Sequence, residues 1–273
     1  MTEELVYDSA NRRSSIIEEL FEIFSYRDLI IQLVRRDIVI RYKRSVLGIA
    51  WTMLNPLGMM LVLTIAFSQV FNTTRAYPVY VLTGLVAWNF FSQTSVLAMH
   101  QFQWGGSLIH RIYIPKTVFG ISAVGTGLVN LLLSLVPVVL IMWIENVPIR
   151  LSILFLPVSI LCICAFALGV GLLLSAIAAF FWDVSEIYQI ALFAWMYLTP
   201  VIYPENAIPE NMRYWLFHLN PMYYLIKLFR LPLYEGVFPS SKVMMMGVVE
   251  ALVVLVVGWI VFTAKSDEFA YRL

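Results

Sequence analysis

Charge is scarce in this sequence: Asp, Glu, Lys and Arg make up 13% of its 273 residues, where a soluble domain carries about 25%. With 61% of residues apolar or aromatic, water is not the chain's main solvent. Its two cysteines, Cys162 and Cys164, are two apart in an apolar run. On a helix they point about 200° from each other, which argues against a shared metal or a disulfide. The three histidines, His100, His110 and His218, have no metal-ligand spacing, and H-E-x-x-H and G-x-S-x-G are absent. No hydrolytic or metal site is expected. The G-x-x-x-x-G-K-[ST] loop is missing and no glycine is followed by lysine, so the chain lacks the backbone cradle for ATP phosphates. Any ATP hydrolysis, with its Mg, then belongs to a separate polypeptide, and this chain is expected to hold no cofactor and to be no enzyme. Carboxylates are nearly absent from the apolar runs: Glu250 is the main exception, with Asp183 and Glu186 beside a short loop. Ion-coupled carriers keep such groups at mid-membrane, so self-contained secondary transport is disfavoured. The net charge of +1 gives no ground for a nucleic-acid partner. The first fifty residues carry charges throughout and show no cleavable leader, so the chain is expected to begin at Met1.

What is present is long apolar runs. A hydrocarbon core of ~30 Å needs roughly 20 helical residues, and six runs approach that length: Trp51 to Phe71, Tyr77 to Met99, Thr117 to Ile144, Leu151 to Phe181, Ile187 to Tyr203 and Val243 to Ala264. None alternates with period two, so the expected fold is an all-α integral membrane protein with six transmembrane helices. Eight Lys or Arg precede the first run and only Arg75 follows it in the next loop, which predicts a cytoplasmic N-terminus and, after six spans, a cytoplasmic C-terminus. The expected organisation is one transmembrane domain over 1–273: a cytoplasmic segment (1–50), five spans (51–203), an external hairpin (204–241), then the last span and tail (242–273). Gly171, Ser175 and Ala179 recur every four positions, the small-residue pattern of close helix contacts, within one chain or between two. Six helices are few for a wide path, which favours two copies.

Three segments outside the spans carry the functional signal. Residues 25 to 44 predict an amphipathic interface helix that opens with a capping box, Ser25 and Asp28. Ile30, Leu33, Val34, Ile38 and Ile40 form its apolar arc, and Asp37, Arg41 and Arg44 fall inside that arc. Two readings stand: an Asp37 to Arg41 ion pair with snorkelling anchors, or an arginine seat for a phosphorylated lipid headgroup. The loop from His100 to Lys116 ends in His110, Arg111, Ile112, Tyr113, Ile114, Pro115 and Lys116. It predicts either a short helix docking on a partner or an interfacial belt. From Pro204 to Ser241, five prolines punctuate two short apolar pieces, 212–219 and 222–231, joined at Asn220 and Pro221, which predicts an external re-entrant helical hairpin. Twelve aromatics lie between Phe193 and Phe238. An interfacial belt explains several; a sugar-lined exit gate explains the density.

The run Arg41-Tyr42-Lys43-Arg44-Ser45-Val46-Leu47-Gly48-Ile49-Ala50-Trp51, continuing to Asn55-Pro56-Leu57, resembles the ABC-2 type permeases that export lipid-linked cell-surface polysaccharides. Thr199-Pro200-Val201-Ile202-Tyr203-Pro204, Pro209, Asn220-Pro221 and Arg230 extend the resemblance over nearly the whole chain. It departs at Trp182-Asp183, where the family commonly has Arg-Asp. The resemblance implies a multi-pass protein of the bacterial cytoplasmic membrane. It implies a homodimeric channel paired with two copies of a cytoplasmic ABC ATPase, moving O-antigen or teichoic-acid-like polymers on undecaprenyl pyrophosphate; a drug or small-lipid efflux permease is the alternative. Carried over by position, Arg41, Tyr42, Lys43 and Arg44 would lie near the lipid pyrophosphate. Arg35, Arg36, His110, Arg111, Ile112, Tyr113, Pro115 and Lys116 would contact the ATPase. Trp195, Tyr197, Tyr203, Tyr214, Trp215, Tyr223, Tyr224 and Phe229 would line the polysaccharide channel or gate.

Overall fold

The structure, a computed structural model, describes residues 23–109 and 114–269. Those residues are helical with no strand among them. The helices are α1 (Arg27–Tyr42), α2 (Ala50–Phe67), α3 (Tyr77–Ile109), α4 (Thr117–Ile144), α5 (Leu156–Ala178, after a 3-10 turn Leu151–Phe155), α6 (Val184–Leu198), α7 (Glu210–His218), α8 (Pro221–Arg230) and α9 (Ser241–Phe269). Among the described residues five helices are long and apolar enough to cross a membrane: α2, α3, α4, α5 with its leading turn, and α9. The run expected as a fifth span, Ile187 to Tyr203, is instead the 15-residue α6 followed by an irregular segment. At 1.5 Å per residue α6 reaches about 22 Å, short of a hydrocarbon core.

The sequence specifies the entry to the bundle locally. Between α1 and α2 the chain reverses at Gly48, whose φ is +51°, a conformation that L side chains adopt at a cost. Ser45 Oγ accepts the Gly48 amide at 3.0 Å. The Ser-Val-Leu-Gly run is thus a side-chain-locked turn that sets how α1 meets α2.

α3 is the central pillar: 72% of its span is buried, against 17% for α2. It packs on α2, α4 and α5, and α9 packs on α5. The small-residue stripe of α5 works within this one chain, since Gly171 faces Ala98 of α3 and Ser175 Oγ donates to the Ala98 carbonyl at 3.3 Å. A second close contact, absent from that stripe, joins α5 to α9. A Cβ on Gly258 would lie 2.2 Å from the Gly169 carbonyl oxygen. With no hydrophobic driving force between helices in lipid, such backbone proximity supplies the packing. Outward faces of α4 and α9 expose Leu140, Trp143, Leu252, Val256 and Ile260, an apolar surface suited to lipid or to another apolar partner.

Candidate functional site: a polar cavity between α2, α3 and α4

α1 sits on the start of α4 through Leu33, packed with Ile114, Val118 and Phe119, and Gly125 leaves room for Val34. Asp37 belongs to this packed face, with its side chain 14% exposed. Its partner is not Arg41, as the helical spacing suggests. Arg36 Nη2 lies 2.9 Å from Asp37 Oδ1, while Gln101 Nε2 of α3 and Thr126 Oγ1 of α4 donate to Oδ2. Ser122 Oγ donates to Gln101 Oε1 at 2.8 Å. A buried polar network therefore fastens α1 to α3 and α4. Ile40, expected on the apolar arc, is exposed because the packed face follows Leu33, Val34 and Asp37.

Arg41 and Tyr42, at the end of α1, reach the mouth of a cavity of about 430 Å³. α2 lines it with Trp51, Thr52, Asn55 and Pro56; α3 with Val86, Asn89, Phe90, Gln93, Thr94 and Leu97; α4 with Gly127, Asn130, Leu131 and Ser134. From Val86 to Leu97 the cavity follows α3 for about 16 Å, so it runs from the α1 end deep into the bundle. Arg41 is the one charged residue in the lining. Lys43 and Arg44 are exposed beside the turn and are not among the lining residues. Sequence reasoning identified Arg41 and Tyr42 but missed the amides, which carry no charge. Their legible signal was Asn89 and Gln93, four apart within an otherwise apolar span.

Of the expected docking residues, Arg35 and Arg36 are exposed on α1, Pro115 is buried and Lys116 is half-buried. His110, Arg111, Ile112 and Tyr113 lie outside the described residues.

The aromatic set divides at the opposite end of the bundle. Tyr223, Tyr224 and Phe229 of α8 are buried, because α8 inserts between α3, α5 and α9. Trp195 packs edge-on to Trp88 and Phe91, with centroids 6.0 and 5.3 Å away. Tyr197, Tyr214 and Trp215 are exposed and Tyr203 is half-buried. The segment Thr199–Tyr203 that ends α6 is held by side chains: Tyr77 Oη donates to the Ile202 carbonyl, Tyr80 Oη to Tyr203, and Arg230 to Pro200 and Val201 at 2.8 and 3.0 Å. Asn220 caps α8 by accepting the Met222 amide, accepts from Trp195 Nε1 and donates to Thr199 Oγ1. The Thr-Pro-Val-Ile-Tyr, Asn-Pro and Arg230 elements noted in the sequence form one hydrogen-bonded knot.

A bundle with five helices of spanning length, a polar cavity along its pillar and a knot closing its far end defines an integral membrane permease. The ABC-2 type transporter family model matches residues 28–234, and the chain belongs to that family. It is 32% identical over 253 residues to the O-antigen export system permease protein RfbA of Myxococcus xanthus, covering 91% of this chain and 96% of that one. It is 23% identical to a Klebsiella pneumoniae protein of the same name, over 89% and 94% of the two chains. To the polysialic acid transport protein KpsM of Escherichia coli it is 22% identical, over 85% and 91%.

Proposed function

We propose that this chain is the transmembrane subunit of an ABC exporter that moves polysaccharide, assembled on a polyprenyl pyrophosphate lipid, from the cytoplasm to the outer face of the bacterial inner membrane. The observation that carries the reading is the cavity between α2, α3 and α4 with Arg41 at its mouth, which offers an anion seat opening on a neutral polar path. The relatives support the polymer reading over efflux of drugs or small lipids, since their names specify O-antigen export and polysialic acid transport. Teichoic-acid-like cargo rests on the sequence resemblance alone.

In this reading the α1 end faces the cytoplasm, as the basic N-terminal segment requires. Two copies of the chain assemble, and each engages one copy of a cytoplasmic ATPase through Arg35, Arg36 and the segment around Pro115 and Lys116. Arg41 and Arg44, flanked by Tyr42 and Lys43, hold the lipid pyrophosphate. α6 with its knotted end serves as the fifth of six spans, and α7 with α8 forms the external re-entrant hairpin. Because Trp195, Tyr223, Tyr224 and Phe229 are occupied in packing, the exit wall falls to Tyr197, Tyr203, Tyr214 and Trp215.

The test is reconstitution of the chain with its ATPase in proteoliposomes, reading ATP-dependent appearance of lipid-linked polysaccharide on the far leaflet. Polymer transfer that needs both chains is the expected result; transfer of small amphiphilic drugs with none of polymer overturns the reading.

A further inference from the structure

The cavity holds more hydrogen-bonding capacity than the protein uses. The half-buried side-chain amides of Asn89 and Asn130 make no hydrogen bond among the described residues, and Asn130 Oδ1 is buried without one, while the amides of Asn55 and Gln93 stand exposed at the edge of the space. Thr94 is sharper. It is 1% exposed and its Oγ1 has no partner, although the other hydroxyls at comparable places, Thr83, Thr126 and Ser134, each donate to a carbonyl of their own helix. In an apolar span an unpartnered amide or hydroxyl costs free energy. Two buried atoms without a partner on the lining of one space, Thr94 Oγ1 and Asn130 Oδ1, point to a ligand that satisfies them.

The lining also specifies what that ligand is. Each amide offers both a donor and an acceptor, which suits hydroxyls and acetamido groups. No carboxylate lines the space to attract a cation, and the one cation, Arg41, stands at the mouth beside Tyr42 and Trp51. The volume of about 430 Å³ lies within the ~300–1,000 Å³ range of small-molecule sites. Resting on the exporter reading, we propose that this cavity is the subsite for the uncharged sugar attached directly to the lipid pyrophosphate. Arg41 takes the phosphate, and Thr94, Asn130 and the α3 amides take the sugar's polar groups. The chain thereby distinguishes a loaded lipid from an empty one.

The test measures binding to the full chain, copurified with its ATPase in nanodiscs. The probes are a short-chain polyprenyl pyrophosphate and the same lipid pyrophosphate bearing one N-acetylhexosamine. Wild type is expected to bind the sugar-bearing probe about tenfold more tightly, the effect of one or two net hydrogen bonds. Thr94→Val and Asn130→Leu are expected to abolish that ratio while binding the sugar-free probe as wild type does, which also verifies their fold. Thr94→Ser keeps the ratio, and Arg41→Gln weakens both probes alike. Equal affinity of wild type for the two probes, or an undiminished ratio in both Thr94→Val and Asn130→Leu, overturns the proposal and leaves the exporter reading standing. Failure of wild type to bind either probe overturns both.

Discussion

The Arg230 guanidinium lies 3.8 Å from the centre of the Tyr80 ring while donating to the carbonyls of Pro200 and Val201. The arrangement requires Gly84, since a Cβ there would meet Arg230 Nη2 at 2.3 Å. A planar guanidinium can face a ring and serve two acceptors at once; an ammonium cannot match that geometry. Arg230→Leu leaves the Val201 carbonyl without a donor and the Pro200 carbonyl with only the longer bond from Tyr80 Oη, 3.3 Å, and is expected to cost about 1–3 kcal/mol. Arg230→Lys should restore little of it. Thermal unfolding in detergent, combined with Tyr80→Leu in a double-mutant cycle, measures both the loss and the coupling.

Asp37→Ala should release α1 from the bundle. The Gln101 amide loses its acceptor inside a packed face, at about 1–3 kcal/mol, while the Thr126 hydroxyl keeps its bond to the Ser122 carbonyl. Faster amide exchange confined to residues 27–42, with the rest of the protein protected as in wild type, is the expected signature.

Two glycines should respond in opposite ways. Gly258→Val places side-chain carbon inside the Gly169 backbone, so α5 and α9 must separate, and folded yield in detergent is expected to collapse. Gly58 in α2 meets nothing within 4 Å. Gly58→Ala should fold at least as well as wild type, since alanine is favoured in a helix by ~1 kcal/mol.

Replacing Arg41 and Arg44 together with Gln should leave the complex with the ATPase intact and lower substrate-stimulated ATP hydrolysis together with export. Copurification and ATPase assays on one preparation check both halves. Unchanged stimulation would reduce these arginines to headgroup anchors.

Lys227 donates to both oxygens of Glu205 at 2.8 and 3.1 Å and to Tyr223 Oη at 2.9 Å. Burial lowers the ammonium's pKa, but the hydrogen bonds to Glu205 and Tyr223 outweigh it and hold the pKa above 10.5. A raised folded-state pKa gives stability that is complete below the unfolded value and is lost as pH rises through the folded one. The stability gap between wild type and Lys227→Met should therefore stay constant from about pH 6 to about pH 9 and close only at higher pH.

Much of the fold was legible because apolar run length and small-residue spacing are local. The runs now seen as α2, α3, α4, α5 and α9 stood out by length, and Gly171 with Ser175 marked a true helix contact. Ser45 and Gly48 were visible as part of a motif, though their turn needed coordinates. The cavity was not legible, since Asn55, Asn89 and Asn130 sit on three helices and meet only after packing. Asp37 misled for the same reason: spacing along one helix offered Arg41, while tertiary neighbours supplied Gln101 and Thr126. Among the aromatics, composition gives Tyr224 and Tyr214 the same promise, yet α8 is buried on most of its surface and α7 is not.

The shortness of α6 reaches beyond the protein to the lipid around it. In the six-span reading proposed above, its 15 residues cover about 22 Å of a hydrocarbon slab near 30 Å, and Thr199–Tyr203, whose carbonyls are answered by Tyr77, Tyr80 and Arg230, takes the remaining depth. Acyl chains touching this flank must shorten or tilt to match it. In that reading bilayer thickness is a setting of the exporter, and membranes built from longer acyl chains are expected to slow it without a change to any side chain.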